Sequence, residues 1–454
     1  MDPKVIIQKQ RDFFNTGITL NYHYRIEQLS KLKKAILANV NRISEALYLD
    51  LGKSETESYM TEIGIVLSEI SYMVKHLKKW MRPKRVRTPI TLFKGSSYHL
   101  SEPYGVTLVL SPWNYPFQLA INPLCGAIAA GNTVILKPSS QSKNTSEVIN
   151  QILSETFDQE YVSCQLGDAR IADILIEERL DYVFFTGSIP VGKKIMEKAS
   201  KHLTPVTLEL GGKSPAIIDS KMNLKLVAKR IAFGKLINAG QTCIAPDYVL
   251  IQKEDEKEFV KYFKDAVKSF FGENVLANDD YPKIINERQV SRLLNLIKNE
   301  EVAYGGTESN GKIHPTLIKN VTFDSPIMQT EIFGPILPIV TYSSHQDLIS
   351  LLKTKEKPLA FYLFTNDKKL QKEYLQHLSF GGMTINDTIM HFANHHLNFG
   401  GVGSSGMGSY HGYQSFKTFS HQKSILKRSL KIDVKVRYHP YTEQKNRLFR
   451  WLLK

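Results

Sequence analysis

The stretch VTLVLSPWNYPFQLAINPLCGAIAAGNTVIL, residues 106–136, decides the fold class. Val106-Thr107-Leu108-Val109-Leu110 is a short apolar run, Phe117 to Ala130 is helix-like, and Thr133-Val134-Ile135-Leu136 is a second apolar run. Two short apolar strands joined by a helix are typical of a parallel sheet that helices cover. The stretch therefore predicts an α/β fold.

The same alternation continues along the chain, with further strand-like segments at 161–165, 182–185, 359–364 and 382–385. Residues 4–81 differ, because their apolar residues recur at spacings of three and four and predict helices. We predict two α/β domains, each with a parallel sheet, and a boundary near residues 205–212. A cleft between such domains is a frequent place for a ligand site.

The composition is ordinary for a globular protein of 454 residues, except for a formal net charge of +15. The basic residues are spread along the chain, and no DNA- or RNA-binding motif accompanies them. This distribution favours a solvated basic surface over a nucleic-acid site. We therefore expect no nucleic-acid partner.

The sequence also bears on location. No run of 18 apolar residues occurs, and Met1-Asp2-Pro3-Lys4 lacks the apolar core of a signal peptide. The three cysteines have no disulfide or metal-site spacing. We predict a cytoplasmic protein without a metal site.

One thiol and one carboxylate lie 34 positions apart in glycine-containing segments, Cys243 in Gly240-Gln241-Thr242-Cys243 and Glu209 in Leu208-Glu209-Leu210-Gly211-Gly212. A thiol can attack a carbonyl carbon, and a carboxylate can activate water to release the product. This pair suggests covalent catalysis on an aldehyde. Cys125 and Cys164 lie in apolar or strand-like surroundings, and we expect both to be inert core residues.

Several other segments follow predicted strands, where open α/β sheets bind ligands. They are Pro112–Pro116, Lys137–Ser139 and Phe185–Ser188, the last of which leads into Val191-Gly192 and a helix. Gly187 and Gly192 would let a pyrophosphate approach N–H groups at the start of that helix. This glycine pair is a weak signal, and no G-x-G-x-x-G fingerprint follows a strand.

Together these segments resemble the aldehyde dehydrogenase superfamily. Seven motifs occur in the family's order: P-W-N-Y-P at 112–116, K-P-S at 137–139, F-T-G-S at 185–188, L-E-L-G-G-K-S-P at 208–215, G-Q-T-C at 240–243, E-I-F-G-P at 331–335 and N-F-G-G at 398–401. Seven motifs in order are highly specific. The glycine-rich run 401–412 and the segment 416–421 look like the class 3 branch.

The resemblance implies a role for each matching residue. Cys243 would attack the aldehyde as a thiolate, and the Asn114 amide and the Cys243 N–H would hold the developing oxyanion. Glu209 would activate the water that hydrolyses the thioester. The resemblance also implies a site for NAD or NADP. Lys137 and Glu331 would contact the ribose groups, and the strand–helix turn with Gly187, Ser188 and Gly192 would contact the diphosphate. Phe333 and Phe399 would lie at the nicotinamide end.

These residues also have plainer interpretations. Glu209 could form a salt bridge at the domain boundary, and Glu331 could be a surface carboxylate near a turn. Asn114, close to two prolines, could cap a turn. Phe399 could belong partly to the core.

The chain departs from the family at Ser140. Relatives commonly carry Glu just after K-P-S, where it accepts a hydrogen bond from the adenosine ribose. A carboxylate there would repel a 2′-phosphate, and Ser140 removes that repulsion. Either NAD or NADP is therefore expected as the cofactor.

The resemblance gives the following division of the chain. Residues 1–83 and 103–206 would form the cofactor-binding domain, and residues 207–417 the catalytic domain. Residues 84–102, with a hairpin signal at Lys94-Gly95-Ser96-Ser97, and residues 418–440 would form a small β oligomerisation arm. We expect this arm to pair across a two-fold interface and give a homodimer.

Residues 441–454 form a tail that ends in Lys445-Asn446-Arg447-Leu448-Phe449-Arg450-Trp451-Leu452-Leu453-Lys454. This mixture of bulky apolar and basic residues suits peripheral contact with an anionic membrane. The alternative is that the tail docks on its own subunit or on a partner near the substrate entrance.

The sequence thus predicts NAD(P)-dependent oxidation of a small-molecule aldehyde to a carboxylate, and the resemblance suggests long-chain or aromatic substrates. A carotenoid-aldehyde dehydrogenase is an alternative within the class. A CoA-acylating enzyme would share Cys243 but would not need Glu209 as a base. A basic nucleic-acid-binding protein without catalysis is an alternative of another class.

Overall fold

A computed structural model of the protein describes residues 3–453; Met1, Asp2 and Lys454 lie outside the described residues. The helices are α1 Pro3–Asn15, α2 Tyr22–Ala38, α3 Val40–Leu51, α4 Glu55–Ser58, α5 Gly64–Trp80, α6 Gln118–Ala130, α7 Lys143–Thr156, α8 Ala169–Glu177, α9 Ile189–Ser200, α10 Leu224–Leu236, α11 Glu256–Phe271, α12 Glu287–Ile297, α13 His345–Leu352, α14 Lys368–His377, α15 Tyr413–Thr418 and α16 Glu443–Leu452.

The strands are β1 Lys84–Val86, β2 Gly95–Pro103, β3 Val106–Leu110, β4 Thr133–Lys137, β5 Val162–Cys164, β6 Tyr182–Thr186, β7 Val206–Glu209, β8 Pro215–Ile218, β9 Tyr248–Gln252, β10 Glu301–Tyr304, β11 Glu308–Ser309, β12 Lys312–Ile313, β13 Thr316–Lys319, β14 Ile336–Tyr342, β15 Ala360–Phe364, β16 Gly382–Ile385, β17 Gly406–Met407 and β18 Ser420–Arg428.

The first large sheet has six strands in the order β17-β7-β6-β3-β4-β5, and all its neighbours are parallel except β17 with β7. Strands β3, β4 and β6 are buried along their whole length. Helices cover both faces of such a sheet, so its strands are apolar throughout instead of alternating. The prediction from residues 106–136 is confirmed: β3, α6 and β4 form a strand–helix–strand unit.

The second large sheet has seven strands in the order β10-β13-β14-β9-β8-β15-β16. It is parallel except for its edge pair, β10 with β13. The chain crosses from the first sheet to the second between β7 and β8, through residues 210–214. Residues 207–209 of β7 and 406–407 of β17 lie in the first sheet. The two sheets confirm the predicted α/β class.

The N-terminal region is helical, as predicted, with α1 to α5 between residues 3 and 80. Apolar residues at spacings of three and four share one face of a helix. On α2 and α5 this face is buried, and its fully buried side chains include Leu29, Leu32, Ile70 and Leu77. Within residues 3–453 we find no helix that is both long and apolar enough to cross a membrane.

The predicted arm forms a small antiparallel sheet in the order β1-β2-β18. The hairpin turn is not at Lys94–Ser97: β2 already begins at Gly95, and the connection runs from 87 to 94 through a short helical turn at Ile90–Leu92. The two arm segments pair with each other within one chain, β2 with β18 over nine residue pairs from Ser420↔Pro103 to Arg428↔Gly95.

Candidate active site

Cys243 lies in a loop that follows α10 and contains three successive residues with a left-handed backbone. The φ angles are 51° at Asn238, 49° at Ala239 and 73° at Gly240. A side chain at Gly240 would collide with the carbonyl oxygen of Gly334, so this position requires glycine. The loop therefore packs against the 331–335 segment and presents the half-buried Cys243 to a cavity.

The loop after β3 is tied to the cysteine loop, although the two lie 127 positions apart. The Asn114 side chain is buried, and its Nδ2 donates to the Gln241 carbonyl oxygen at 3.0 Å. Asn238 Nδ2 donates to the Asn114 carbonyl oxygen at 2.6 Å. The Tyr115 and Thr242 hydroxyls share a hydrogen bond of 2.6 Å. The structure thus brings an amide donor beside the candidate nucleophile.

Glu209 is the last residue of β7, where it lies between Thr186 of β6 and Gly406 of β17. Its side chain is buried, and neither carboxyl oxygen has a hydrogen-bond partner within residues 3–453. Burial raises the pKa of this carboxyl well above its ordinary value. A buried carboxyl without a partner is free to exchange a proton with a bound molecule, and no salt bridge engages it.

Cys243 and Glu209 line one cavity of about 220 Å³. Most of its walls are apolar and come from segments spread along the chain. The apolar lining residues are Met60, Ile65, Tyr115, Leu119, Leu210, Phe233, Ile237, Ile244, Leu359, Ile389, Met390, Phe392, Phe399 and Tyr410. Such a cavity accepts an apolar ligand and places it against a few polar groups.

The Cys243 thiol is protonated in this environment. Burial raises its pKa well above the ordinary value, and the ionised forms of the neighbouring Glu331 and Glu209 would add to this rise. Because the thiolate is the nucleophile, attack on a carbonyl carbon requires the thiol to lose its proton. The two carboxylates that raise this pKa are themselves candidate site residues.

Glu331 lines a second, larger cavity of about 680 Å³, together with Ser188, Gly212 and Lys213. Glu331 Oε1 accepts a hydrogen bond from the Gly212 N–H at 3.2 Å. Burial, and next the charge of Asp247, raises the pKa of Glu331 to about 8. A side chain on Gly211 would collide with this carboxylate, so glycine permits the close approach. The Glu331 carboxylate therefore lies partly buried in a cleft and is not a fully exposed surface group.

Lys137 ends β4, and Ser140 follows it on the surface. Lys137 Nζ donates to the carbonyl oxygens of Pro138 at 3.0 Å and Gly167 at 2.8 Å. Burial lowers the pKa of Lys137. The buried ammonium and the exposed serine thus lie at the carboxyl end of a central strand, where α/β sheets bind ligands.

Gly187 and Ser188 form the turn from β6 into α9, and Ser188 is the N-cap residue without a side-chain capping bond. Gly192 lies in the first turn of α9, where its N–H donates to the Ser188 carbonyl oxygen at 2.9 Å. A Cβ on Gly192 would lie 2.7 Å from Leu210 Cδ2. Gly192 thus permits helix–sheet packing, and the start of α9 lines the second cavity through Ser188, Ile189 and Pro190.

Phe333 and Phe399 are held in different ways. Phe333 has a left-handed φ of 52° and makes an edge contact with Trp113 at 5.4 Å between ring centroids. Phe399 is buried, forms an antiparallel bridge with Tyr410 and lines the first cavity. The two rings therefore flank the region where the loops of the two sheets meet.

Residues 4–425 match the sequence profile of the Aldehyde dehydrogenase family. The chain belongs to this family. The 4,4'-diaponeurosporen-aldehyde dehydrogenase of Staphylococcus aureus is 47% identical over 444 residues, which are 96% of this chain and 97% of that protein. The dimeric NADP-preferring aldehyde dehydrogenase of Mus musculus is 44% identical over 96% of this chain and 97% of that protein.

A structure described as the substrate-bound state of Staphylococcus aureus AldH superposes with a TM-score of 0.97 at 45% identity, covering 99% of each chain. Relatives named as members of aldehyde dehydrogenase family 3 match nearly the whole chain, which confirms the resemblance to the class 3 branch. The protein is an NAD(P)-dependent aldehyde dehydrogenase. This membership favours the enzyme over the nucleic-acid-binding alternative.

Several residues that line the Cys243 cavity were not singled out from the sequence. Tyr115 and Thr242 stand next to predicted residues in two motifs, so the motifs contained a signal for them. Tyr410 lies in the class 3 run. Met60 and Ile65 gave no signal, because a helical pattern does not show which of its side chains will face a distant cysteine.

Proposed function

We propose that this aldehyde dehydrogenase oxidises apolar aldehydes to carboxylic acids through a thioester on Cys243. The observation that carries the proposal is that Cys243 and an unpartnered Glu209 line the same apolar cavity. Cys243 Sγ, after losing its proton, bonds to the carbonyl carbon, and the carbonyl oxygen becomes an oxyanion. Bound NAD(P)⁺ supplies the acceptor for the hydride that leaves this carbon, and a thioester remains.

Asn114 and the Cys243 backbone would stabilise the oxyanion. One N–H of the Asn114 amide is used by the Gln241 carbonyl, which fixes the amide plane and leaves the second N–H for the substrate oxygen. Donors that are fixed in advance stabilise the developing charge most effectively in a site that excludes water.

Glu209 would serve as the base for hydrolysis. Burial raises the pKa of this carboxyl above its ordinary value, which makes its carboxylate form a stronger base toward water. The hydroxide oxygen then bonds to the thioester carbon, the C–S bond breaks, and the carboxylic acid and the Cys243 thiolate are released. A CoA-acylating enzyme would not need this free carboxylate.

The second cavity supports the predicted cofactor contacts. The start of α9 lines it through Ser188, Ile189 and Pro190, and a diphosphate fits such a helix start. Glu331 in this cavity would accept ribose hydroxyls. Lys137, which ends β4 and is not among the residues that line this cavity, would bind the other ribose. Gly187, Ser188 and Gly192 would form the diphosphate turn, and Phe333 and Phe399 would border the nicotinamide.

Ser140 would permit NADP as well as NAD. It is exposed beside Lys137, and a 2′-phosphate there would meet no carboxylate from this position. The mouse relative with the NADP-preferring name supports this proposal. In the same scheme residues 1–83 and 103–206 form the cofactor-binding domain and 207–417 the catalytic domain.

The substrate would be long-chain or aromatic, because the cavity walls are apolar. A carotenoid aldehyde is a second candidate, favoured by the name of the 47% identical relative from Staphylococcus aureus. The test is a series of aldehydes of increasing chain length, an aromatic aldehyde and an apocarotenoid aldehyde, each with NAD and NADP. Rising kcat/KM with chain length supports the proposal, and a preference for short polar aldehydes contradicts it.

We further propose a cytoplasmic homodimer with reversible membrane contact. Strand β18 has an edge that no other described strand covers, and such edges pair with other strands. The mouse relative is named dimeric. The three cysteines are free, as expected in a reducing compartment. Helix α16 has no buried residue, so its apolar and basic side chains are accessible to a membrane surface.

A further inference from the structure

A buried ion pair lies beneath the loop that carries Asn114. Lys53 and Glu62 are fully buried, and Lys53 Nζ lies 2.5 Å from Glu62 Oε1. Glu62 Oε2 accepts the N–H groups of Phe117 at 2.9 Å and Gln118 at 3.1 Å, at the start of α6. Lys53 also donates to the Asn114 carbonyl oxygen at 3.3 Å. Because burying two charges costs free energy, this pair suggests a requirement for precise geometry.

Glu57 holds the backbone of the loop that carries Cys243, as Glu62 holds the backbone at the start of α6. Its Oε1 accepts the N–H of Asn238 at 2.7 Å. Asn238 and Ala239 both have left-handed backbones without being glycine, a conformation that persists only where surrounding contacts hold it. The Glu57 carboxylate is one of these contacts.

The side chain of Asn238 links the cysteine loop to the segment that carries the Asn114 amide. Its Nδ2 donates to the carbonyl oxygens of Asn114 at 2.6 Å and Gln241 at 3.1 Å. The Asn114 amide in turn donates to the Gln241 carbonyl at 3.0 Å. A continuous set of hydrogen bonds therefore runs from Glu57 to the amide that would bind the substrate oxygen.

We propose that Glu57 is a positioning residue, which holds Asn238 and through it sets the Asn114 amide and the Cys243 loop in the productive geometry. The inference rests on the proposed function, and it adds a residue that no motif marks. Glu57 and Asn238 are not among the lining residues of the Cys243 cavity, so Glu57 acts through Asn238 and not on the substrate.

The strength of this contact depends on pH. Burial raises the pKa of Glu57 to about 7, and the charge of Lys53 opposes that rise. The other titratable groups whose charges act on Glu57 or respond to it are Glu62, Asp280, Tyr115 and Tyr281. Since a carboxylate accepts a stronger hydrogen bond than a neutral carboxyl, the contact weakens as the pH falls through about 7.

Three variants test the proposal: Glu57→Ala, Glu57→Gln and the control Glu55→Ala, which alters an exposed residue of the same short helix. Glu57→Ala removes the acceptor, and we expect kcat to fall by about 10- to 100-fold, because small misplacements of reacting groups are costly. The KM and Kd for the cofactor should stay unchanged. Glu57→Gln keeps an acceptor oxygen and should retain most of kcat.

The pH profile separates positioning from simple folding support. Glutamine does not titrate, so the ratio of parent to Glu57→Gln activity should rise as the pH increases through about 7. A pH-independent ratio, or equal kcat in Glu57→Ala and Glu55→Ala, would overturn the proposal. If Glu57→Ala does not fold, as judged by cofactor binding, the pH dependence of the ratio of parent to Glu57→Gln activity is sufficient to test the proposal.

A second readout does not need turnover. In a Cys164→Ser background, iodoacetamide should alkylate Cys243 at a different rate in Glu57→Ala than in Glu55→Ala, because the loop that carries the thiol has moved. Identical rates contradict the positioning role. If the parent protein oxidises no aldehyde, the proposed function fails, whereas the alkylation comparison still decides the role of Glu57.

Discussion

At the scale of single residues, the site depends on two buried groups with perturbed acidity. Cys243 and Glu209 both have pKa values raised by burial, and Glu209 raises that of Cys243 further. Each group is therefore harder to ionise in this site than it is in water.

The first prediction concerns Cys243→Ala. Without the sulfur no thiohemiacetal forms, so kcat for aldehyde oxidation should fall by more than about 10³-fold. Cofactor binding, measured by quenching of protein fluorescence, should be nearly unchanged, because the second cavity does not include Cys243. Cys125→Ser is the matched control: Cys125 is fully buried in α6, so its change should lower the melting temperature more than the turnover. Appreciable oxidation by Cys243→Ala would contradict the covalent route.

The second prediction concerns Ser140→Glu. A carboxylate at this exposed position beside Lys137 should repel the 2′-phosphate and lower kcat/KM for NADP while sparing NAD. Exposed charges interact weakly, so we expect a selective loss of about 10-fold. Ser140→Gln has nearly the same shape without the charge and serves as the control. A parent enzyme without NADP activity, or an equal loss with both cofactors, would refute the role of Ser140.

At the scale of elements, the buried strands and their order were predictable, and the irregular segments were not. Strands such as β3 are apolar throughout because helices cover both faces of the sheet, so periodicity and composition revealed them. Strand β17 has two residues in a glycine-rich run, and no pattern distinguishes it from a loop. The hairpin turn was misplaced because Pro89 begins a helical turn before Lys94, and short-range turn signals do not reveal such an insertion.

The candidate site shows the same limits. Motif order predicted Cys243, Glu209 and Asn114 as site residues, because reactive groups occur in short segments of distinctive composition, and the structure places Cys243 and Glu209 in one cavity. The contacts that hold these segments come from residues such as Lys53 and Glu57, far away in the sequence. A single sequence does not show which carboxylate will accept a hydrogen bond from which N–H group far away in the chain.

The third prediction belongs to α16. Its exposed apolar residues, Leu448, Trp451 and Leu453, lie near Lys445, Arg447 and Arg450. Each basic residue close to an anionic surface contributes about 1 kcal/mol, enough for weak reversible binding. Removing residues 445–454 should reduce co-sedimentation with phosphatidylserine vesicles and slow oxidation of membrane-dissolved aldehydes. Short soluble aldehydes should be oxidised as before. Equal vesicle binding by both proteins would leave docking on protein as the role of the tail.

At the scale of the whole molecule, the two large sheets meet where the chain crosses from β7 to β8 and where β17 returns to the first sheet. Both cavities lie in this region, so Cys243 from one side and Glu209 from the other can act on one substrate.

The fourth prediction concerns assembly. The small sheet of β1, β2 and β18 projects an uncovered edge at β18, so we expect a homodimer by light scattering at micromolar concentration. Ile425→Pro in β18 removes a backbone N–H and should weaken the dimer; Lys431→Pro, beyond the strand, is the control. A monomeric parent protein would refute the role of the arm.

The most direct test of the central claim is the Glu209→Gln enzyme mixed with an apolar aldehyde and NAD. If Glu209 activates water, hydride transfer still proceeds once, and the thioester then accumulates because hydrolysis is blocked. The account predicts a burst of about one reduced cofactor per subunit, followed by steady turnover lowered by roughly 10²- to 10⁴-fold. It also predicts an intact mass increased by the acyl group, located on the peptide that contains Cys243. A variant without a burst and without an adduct on Cys243 would contradict the account.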